Sequence, residues 1–199
     1  MKKLVLFVIL DKYSDWEVGY LSSLLLYLGK DEYSIKTVSL TKKSIQSLGG
    51  FTVLPDYDIE SAPMDFEGLI LIGGMSWRTE GANQIKPLIQ VALDKKRVLG
   101  SICGASGFLG TMGILNHIKH TANDLDDLKQ WGGKQYTGEK NFRREQAIRD
   151  NNIVTANGTA ALEFTKEVLL ALNITSEKSI QEWYNYHKVG CYEAPMPTL

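Results

Sequence analysis

Only two cysteines and three histidines occur in 199 residues, and neither sign of charge prevails. Cys103 and Cys191 are too few for a disulfide scaffold and too far apart for a C-x-x-C metal or redox pair. A chain of this length can bury a full core without a disulfide or metal to hold it. Twenty-two Lys and Arg against 23 Asp and Glu leave a formal charge of -1, which argues against a nucleic-acid partner or a basic membrane-surface protein. No run approaches the roughly 18 apolar residues of a membrane-spanning helix. Met1-Lys2-Lys3 before an apolar run has the look of a signal peptide, but Asp11, Lys12, Ser14 and Asp15 follow at once with no small-residue cleavage pattern. The expectation is one cytoplasmic domain over residues 1–199, with reduced thiols.

Cofactor signatures are missing as well. No Gly follows the first apolar run, so a dinucleotide fingerprint is excluded, and Asp11 and Asp15 would repel the phosphate of a flavin loop. No H-E-x-x-H or paired cysteines suggest a metal. A phosphoacceptor Asp is absent after Ile72, where Gly73-Gly74 stands instead.

What is present alternates between two periodicities. Leu4–Leu10, Leu69–Ile72 and Val98–Ile102 are short continuous apolar runs, the pattern of strands covered on both faces. Ile35–Val38 is a further strand, and Ile45–Leu54 predicts a hairpin around Gly49-Gly50. Between them lie helical patterns from Ser14 to Leu28, from Ile85 to Leu93 and from Gly104 to about Met112. Later come a short strand over Ile118–Ala122, a helix over Asp124–Trp131, and a polar loop over Gly132–Asn141. A hairpin joins Ala147–Arg149 to Ile153–Ala156, and helices over Thr159–Leu172 and Ser176–His187 end the chain. Strands alternating with helices predict an α/β fold: a flavodoxin-like three-layer sandwich around a mostly parallel central sheet.

In such a sheet ligands bind beyond the carboxyl ends of the strands. Cys103 stands where a strand runs directly into a helix, flanked as Ser101-Ile102-Cys103-Gly104-Ala105. This small-x-nucleophile-x-small pattern is a nucleophile elbow with a thiol in place of the hydroxyl, and a helix N-terminus beneath the sulfur favours thiolate. The N–H groups of Gly74 and Gly104 could then form a two-donor oxyanion hole. Glu17 has two readings. In Ser14-Asp15-Trp16-Glu17 it fits the third position of a capping box; it could instead reach the sulfur and share a proton with it. Among the histidines, His120 is best placed to act as a base, 17 residues after Cys103. His117 falls in a turn, and His187 beside Tyr184 and Tyr186 reads as surface packing. Cys191, in the terminal tail, has no supporting constellation.

Together these segments resemble the ThiJ/PfpI family of the class I glutamine amidotransferase-like superfamily. The resemblance rests on Ser14-Asp15-Trp16-Glu17, Leu71-Ile72-Gly73-Gly74, the elbow at Cys103, Lys119-His120-Thr121-Ala122-Asn123, and Ile153-Val154-Thr155-Ala156-Asn157-Gly158 with Ala161-Leu162-Glu163-Phe164. It implies Cys103 as the reactive cysteine, Glu17 as a protonated carboxyl beside it, Gly74 and Gly104 as oxyanion donors, and a homodimer. Family members that use a histidine often place it where Asn123 stands here, and His120 would point to the opposite strand face from Asn123. Gly104 occupies the place of a histidine in the peptidase-like members, and His187-Lys188-Val189 lacks the acid of a late His-x-Glu, so glutamine hydrolysis is not expected.

The resulting expectation is a cysteine-dependent hydrolase-like enzyme, a peptidase or a small-carbonyl or acyl hydrolase of deglycase or glyoxalase type. Cys103 would attack, Glu17 would manage the thiol proton, and His120 or Asn123 would assist if the fold brings it close. Partners would be a small molecule or peptide, with no cofactor and no metal. Two alternatives stay open: a redox or stress sensor acting through oxidation of Cys103, and a non-catalytic binding protein on the same scaffold.

Overall fold

A computed structural model describes residues 2–197; Met1 and the last two positions of the expected domain, Thr198 and Leu199, lie outside the described residues. Strands β1 (Lys3–Val8), β2 (Tyr33–Val38), β5 (Gly68–Leu71), β6 (Val98–Ile102), β7 (Ala147–Asp150) and β8 (Ile153–Ala156) form one sheet in the order β2-β1-β5-β6-β8-β7. All neighbours are parallel except the β7–β8 hairpin, whose turn uses Asn151 at a left-handed φ of 53°. β3 (Ile45–Gln46) and β4 (Thr52–Val53) make the separate hairpin around the glycine pair.

Helices cover both faces. On one side α1 (Asp15–Gly29), α5 (Ala161–Ala171) and α6 (Glu177–Val189) pack over Val5, Phe7, Ile70 and Ile102. On the other, α2 (Lys86–Asp94), α3 (Gly104–Thr111) and α4 (Leu125–Gly132) pack over Leu6, Val8, Leu69 and Leu99. Successive strand residues therefore enter opposite cores, which is why β1 reads as an unbroken apolar run rather than an alternating one. Gly100 keeps the sheet flat against α5: a Cβ there would stand 3.1 Å from the Phe164 ring.

One predicted element is absent. The strand expected over Ile118–Ala122 survives only as an isolated bridge between His120 and Phe142. The edge of β6 that it would have needed is taken by β8, in register from Leu99 opposite Ile153 to Ile102 opposite Ala156. The segment instead runs across the top of the sheet, and its Thr121 N–H donates to the Thr155 hydroxyl at 2.9 Å. This displacement sends Asn123 over the end of β6.

Candidate active site

The carboxyl ends of β1, β5, β6 and β8 lie side by side, and the chain segments leaving them converge on Cys103. Its backbone takes φ 60° and ψ -127°, a left-handed conformation that a residue with a Cβ adopts only under constraint. The constraint is visible: the Cys103 N–H donates to the Ala156 carbonyl at 3.0 Å, tying the elbow to β8, while α3 begins at Gly104. The small residues around it are dictated by contact. A Cβ at Gly73 would fall 2.5 Å from the Cys103 Cβ and 2.8 Å from the Ile102 carbonyl, and one at Gly104 would lie 3.1 Å from the Gly74 carbonyl.

Glu17 is 1% exposed and does not close a capping box. The Ser14 N–H is taken by the Gly73 carbonyl at 3.1 Å, and the Ser14 side chain makes no cap bond. The Glu17 carboxyl turns inward, where Oε2 accepts the Gly73 N–H at 2.8 Å. Oε1 is buried with no hydrogen-bond partner, yet it and the Cys103 sulfur both border Gly158, whose Cβ, if present, would stand 3.3 Å from Oε1 and 2.9 Å from Sγ. Burial pushes the carboxyl up from its ordinary 4.5 to about 7, against smaller opposing effects of the neighbouring Cys103 thiol, the Gly73 N–H and the Ser14 hydroxyl. A protonated Oε1 facing the sulfur satisfies the otherwise orphaned atom.

Asn123 meets the sulfur from the other side, its Nδ2 donating to Sγ at 3.3 Å while its Oδ1 accepts the Gly158 N–H at 2.8 Å. Burial and the nearby Glu17 charge hold the Cys103 thiol above its ordinary value, whereas the Asn123 amide and the Gly104 N–H pull it down. The expectation that the helix N-terminus would leave a ready thiolate is thus outweighed: two buried acids side by side resist a second negative charge.

His120 is not brought to this cluster. It is fully buried, with Nδ1 on the Ile118 carbonyl at 2.8 Å and Nε2 on the Tyr136 hydroxyl at 2.7 Å. Edge-on contacts with the Tyr136 and Phe142 rings complete its surroundings. Burial holds its imidazole below the ordinary value, and the Arg143 charge acts in the same sense. Both ring nitrogens are engaged, so the assignment of His120 as base has no geometric support; its place is structural. His187 is a half-buried ring stacked among Tyr20, Trp183 and Tyr186, and Cys191 is exposed.

A cleft of about 200 Å³ opens onto Cys103, walled by Gly74, Trp77, Gly104, Asn123 and Trp131. The Gly74 N–H and the Gly104 N–H are given to no backbone carbonyl. Arg78 closes the mouth, bonded to Asp127 at 2.7 Å and lying 4.5 Å from the Trp131 ring centre. Gly158 and the Arg78–Asp127 pair were not singled out in the sequence as site residues. The position of Gly158 just past the end of a strand was the available signal for the first; nothing local marks the second. Among the described residues no group of three or more His, Cys, Asp or Glu could hold a metal ion, and no helix is long and apolar enough to cross a membrane.

Comparison with known proteins agrees with this fold. The chain is 38% identical over 192 residues to "Uncharacterized protease YdeA" of Bacillus subtilis, covering 96% of this chain and 94% of that one. It is 36% identical over 181 residues to "Uncharacterized protease YoaZ" of the same organism, covering 88% and 86%. The crystal structure of the thiJ/pfpI family protein from Bacillus anthracis superimposes with a TM-score of 0.88 at 34% identity, covering 94% of this chain and 91% of that one. With residues 3–171 matching its family model, this chain belongs to the DJ-1/PfpI family.

Proposed function

We propose that the protein is a cysteine-dependent hydrolase-like enzyme acting on a small carbonyl or acyl compound. The observation that carries this reading is the convergence of the buried Glu17 carboxyl, the Asn123 amide and the first N–H of α3 on one sulfur, which itself lines a cleft. A cleft of about 200 Å³ is smaller than the roughly 300–1,000 Å³ of a site for a drug-sized ligand. That favours a small substrate over a folded peptide segment, although peptidase is the activity in the names of the two Bacillus subtilis relatives.

In the proposed reaction the Cys103 sulfur bonds to the carbonyl carbon as its proton passes to Glu17, in those molecules whose carboxyl, titrating at about 7, has lost its own proton. The carbonyl oxygen, now negative, is held by the Gly74 and Gly104 N–H groups. With an aldehyde the oxyanion takes the proton back from Glu17, giving a hemithioacetal on Cys103. With an acyl compound the oxyanion collapses to a thioester, the leaving group departs with the proton from Glu17, and water then hydrolyses the thioester. Asn123 supports the thiolate and His120 takes no part.

Turnover of methylglyoxal, a p-nitrophenyl ester and a casein peptide by the wild type, Cys103→Ser and Glu17→Gln tests this. Cys103→Ser is expected to abolish turnover of at least one of them. Turnover indifferent to Cys103, or none with any substrate, removes the reading.

A second reading is favoured by the same protonated Glu17, which can donate a hydrogen bond to an oxygen placed on the sulfur. A peroxide would oxidise Cys103 to sulfenic and then sulfinic acid, being itself reduced to water. Intact-protein mass spectrometry after mild peroxide would then show oxygen on Cys103 and not on the exposed Cys191. We propose a homodimer as the working assembly; a monomer mass by sedimentation would remove that proposal.

A further inference from the structure

Two consecutive residues of α1 contribute to the surroundings of the same sulfur, one directly and one through Gly158. Glu17 turns beneath it; Trp16, half exposed, donates its indole Nε1–H to the Gly158 carbonyl at 3.0 Å across 142 residues of chain. Gly158 lies against the sulfur, close enough that a Cβ would stand 2.9 Å from it. The other side of the same residue, its N–H, goes to Asn123 Oδ1, and the Asn123 Nδ2 goes to Sγ. The orientation of the Asn123 amide is thereby fixed. Reversed, it would turn an NH2 toward the Gly158 N–H, donor against donor, and offer the thiolate an oxygen. On the far side its two neighbours are tied to each other and to Gln146: the Thr159 hydroxyl and N–H donate to Asn157 Oδ1 at 2.7 and 3.0 Å, the Asn157 N–H donates to the Gln146 carbonyl at 3.1 Å, and none of these bonds is made by Gly158 itself. The Trp16 bond is the tie that reaches Gly158 itself from α1.

We propose that Trp16 is a positioning residue for Cys103: by holding the Gly158 carbonyl it keeps the Asn123 amide turned with its NH2 toward the sulfur. The ring of contacts runs from Trp16 to Gly158, Asn123 and Cys103, then through Glu17 back to α1. The proposal rests on Cys103 being the reactive thiol and not on the identity of its substrate. Without the indole N–H, Gly158 is free to shift and the Asn123 amide to rotate, so the thiolate loses a donor. An opposing effect exists, since a displaced Gly158 would admit water and ease ionisation. The bond made directly to the sulfur outweighs it, because Asn123 and Gly104 continue to roof the thiol. The charged groups facing Cys103 are Glu17 from α1 and, around the cleft, Asp124 and Asp127 of the α4 segment with Arg78 paired to Asp127. Only Glu17 adjoins the sulfur directly, and Trp16→Phe leaves all four in place.

The test is the pH profile of Cys103 alkylation by iodoacetamide, followed by peptide mass spectrometry with Cys191 as internal control. Wild type, Trp16→Phe, Asn123→Ala and the double variant are compared, each checked by its melting curve. Trp16→Phe keeps a ring in place but has no donor. Its midpoint is expected to rise by about half a pH unit, read as about threefold slower alkylation at pH 7.5. Asn123→Ala is expected to raise it at least as far, and adding Trp16→Phe to Asn123→Ala to change nothing more. A midpoint that is unmoved or lowered in Trp16→Phe, or shifts that add in the double variant, overturns the proposal while leaving the reactive thiol standing. A wild-type Cys103 that resists alkylation at every pH removes the reading of Cys103 as the reactive thiol, and this proposal with it.

Discussion

Glu17→Gln is the perturbation with the largest effect that can be worked from the structure. The carboxyl is buried and its folded value is raised from 4.5 to about 7, so the fold prefers it neutral. Below about pH 4.5 it is neutral in both states and adds no pH dependence. Between 4.5 and about 7 the unfolded chain has released the proton while the folded chain still holds it, so stability falls as pH rises. Above about 7 it is ionised in both states, and the loss is complete. At about 1.4 kcal/mol for each pH unit, the interval amounts to roughly 3 kcal/mol. Gln keeps an oxygen for the Gly73 N–H and an NH2 for the sulfur, and it does not titrate. Urea unfolding of both proteins at pH 4.5, 6 and 8 measures the difference while cancelling the other titrating groups. Relative to wild type, Glu17→Gln is expected to gain about 3 kcal/mol between pH 4.5 and 8. Two stability curves that run parallel to within about 0.5 kcal/mol across that range would refute the assignment of a buried, proton-holding carboxyl.

Three further outcomes follow from the same geometry. Gly158→Ala places a methyl 2.9 Å from Sγ; it is expected to slow iodoacetamide labelling of Cys103 at least about tenfold and to destabilise by about 1–3 kcal/mol, and labelling at the wild-type rate would contradict the packing described. His120→Ala empties a fully buried position and orphans the Tyr136 hydroxyl, with an expected cost of about 2–4 kcal/mol in urea unfolding. Its Cys103 labelling rate at pH 7.5 should stay within about twofold of wild type; a loss of tenfold or more would restore His120 as a base. Glu17→Gln is also expected to remove an inflection near pH 7 from the Cys103 labelling profile, because the Glu17 charge beside the thiol titrates there and Gln does not, and a profile that keeps the inflection would mean that another group produces it.

The elements and the elbow were legible in the sequence for local reasons. Val98–Ile102 is Val, Leu and Ile broken only by the small Gly100 and Ser101, and Gly104 and Ala105 are small, so strand, turn and nucleophile position follow from composition over eight residues. The Gly73-Gly74 pair is visible as a break after an apolar run, but the groups that forbid a Cβ there lie far along the chain: Glu17, Ile102 and Cys103 for Gly73, Lys12 and Tyr13 for Gly74. The post-elbow strand was misjudged because Ile118–Ala122 has strand-like residues but no free sheet edge: β8, far later in the chain, occupies it. His120 was misplaced for the same reason. Its distance along the chain from Cys103 carries no information about Tyr136, which takes its Nε2.

The sequence by itself determined that one cysteine of two stands on a strained elbow above a helix N-terminus, between residues too small to crowd it, because those requirements are met by near neighbours in the chain. Only the tertiary structure decided what surrounds the sulfur. Glu17, Gly73, Asn123 and Gly158 leave four different segments, and the strand order β1-β5-β6-β8 is what sets those segments side by side. Burial then turned Glu17 from a helix cap into an acid that holds its proton near neutrality, and two saturated ring nitrogens turned His120 from a base into part of the core. Local pattern sets conformation and facing. The partners of a buried polar group, and with them its charge, are set by whichever distant segment the sheet brings against it.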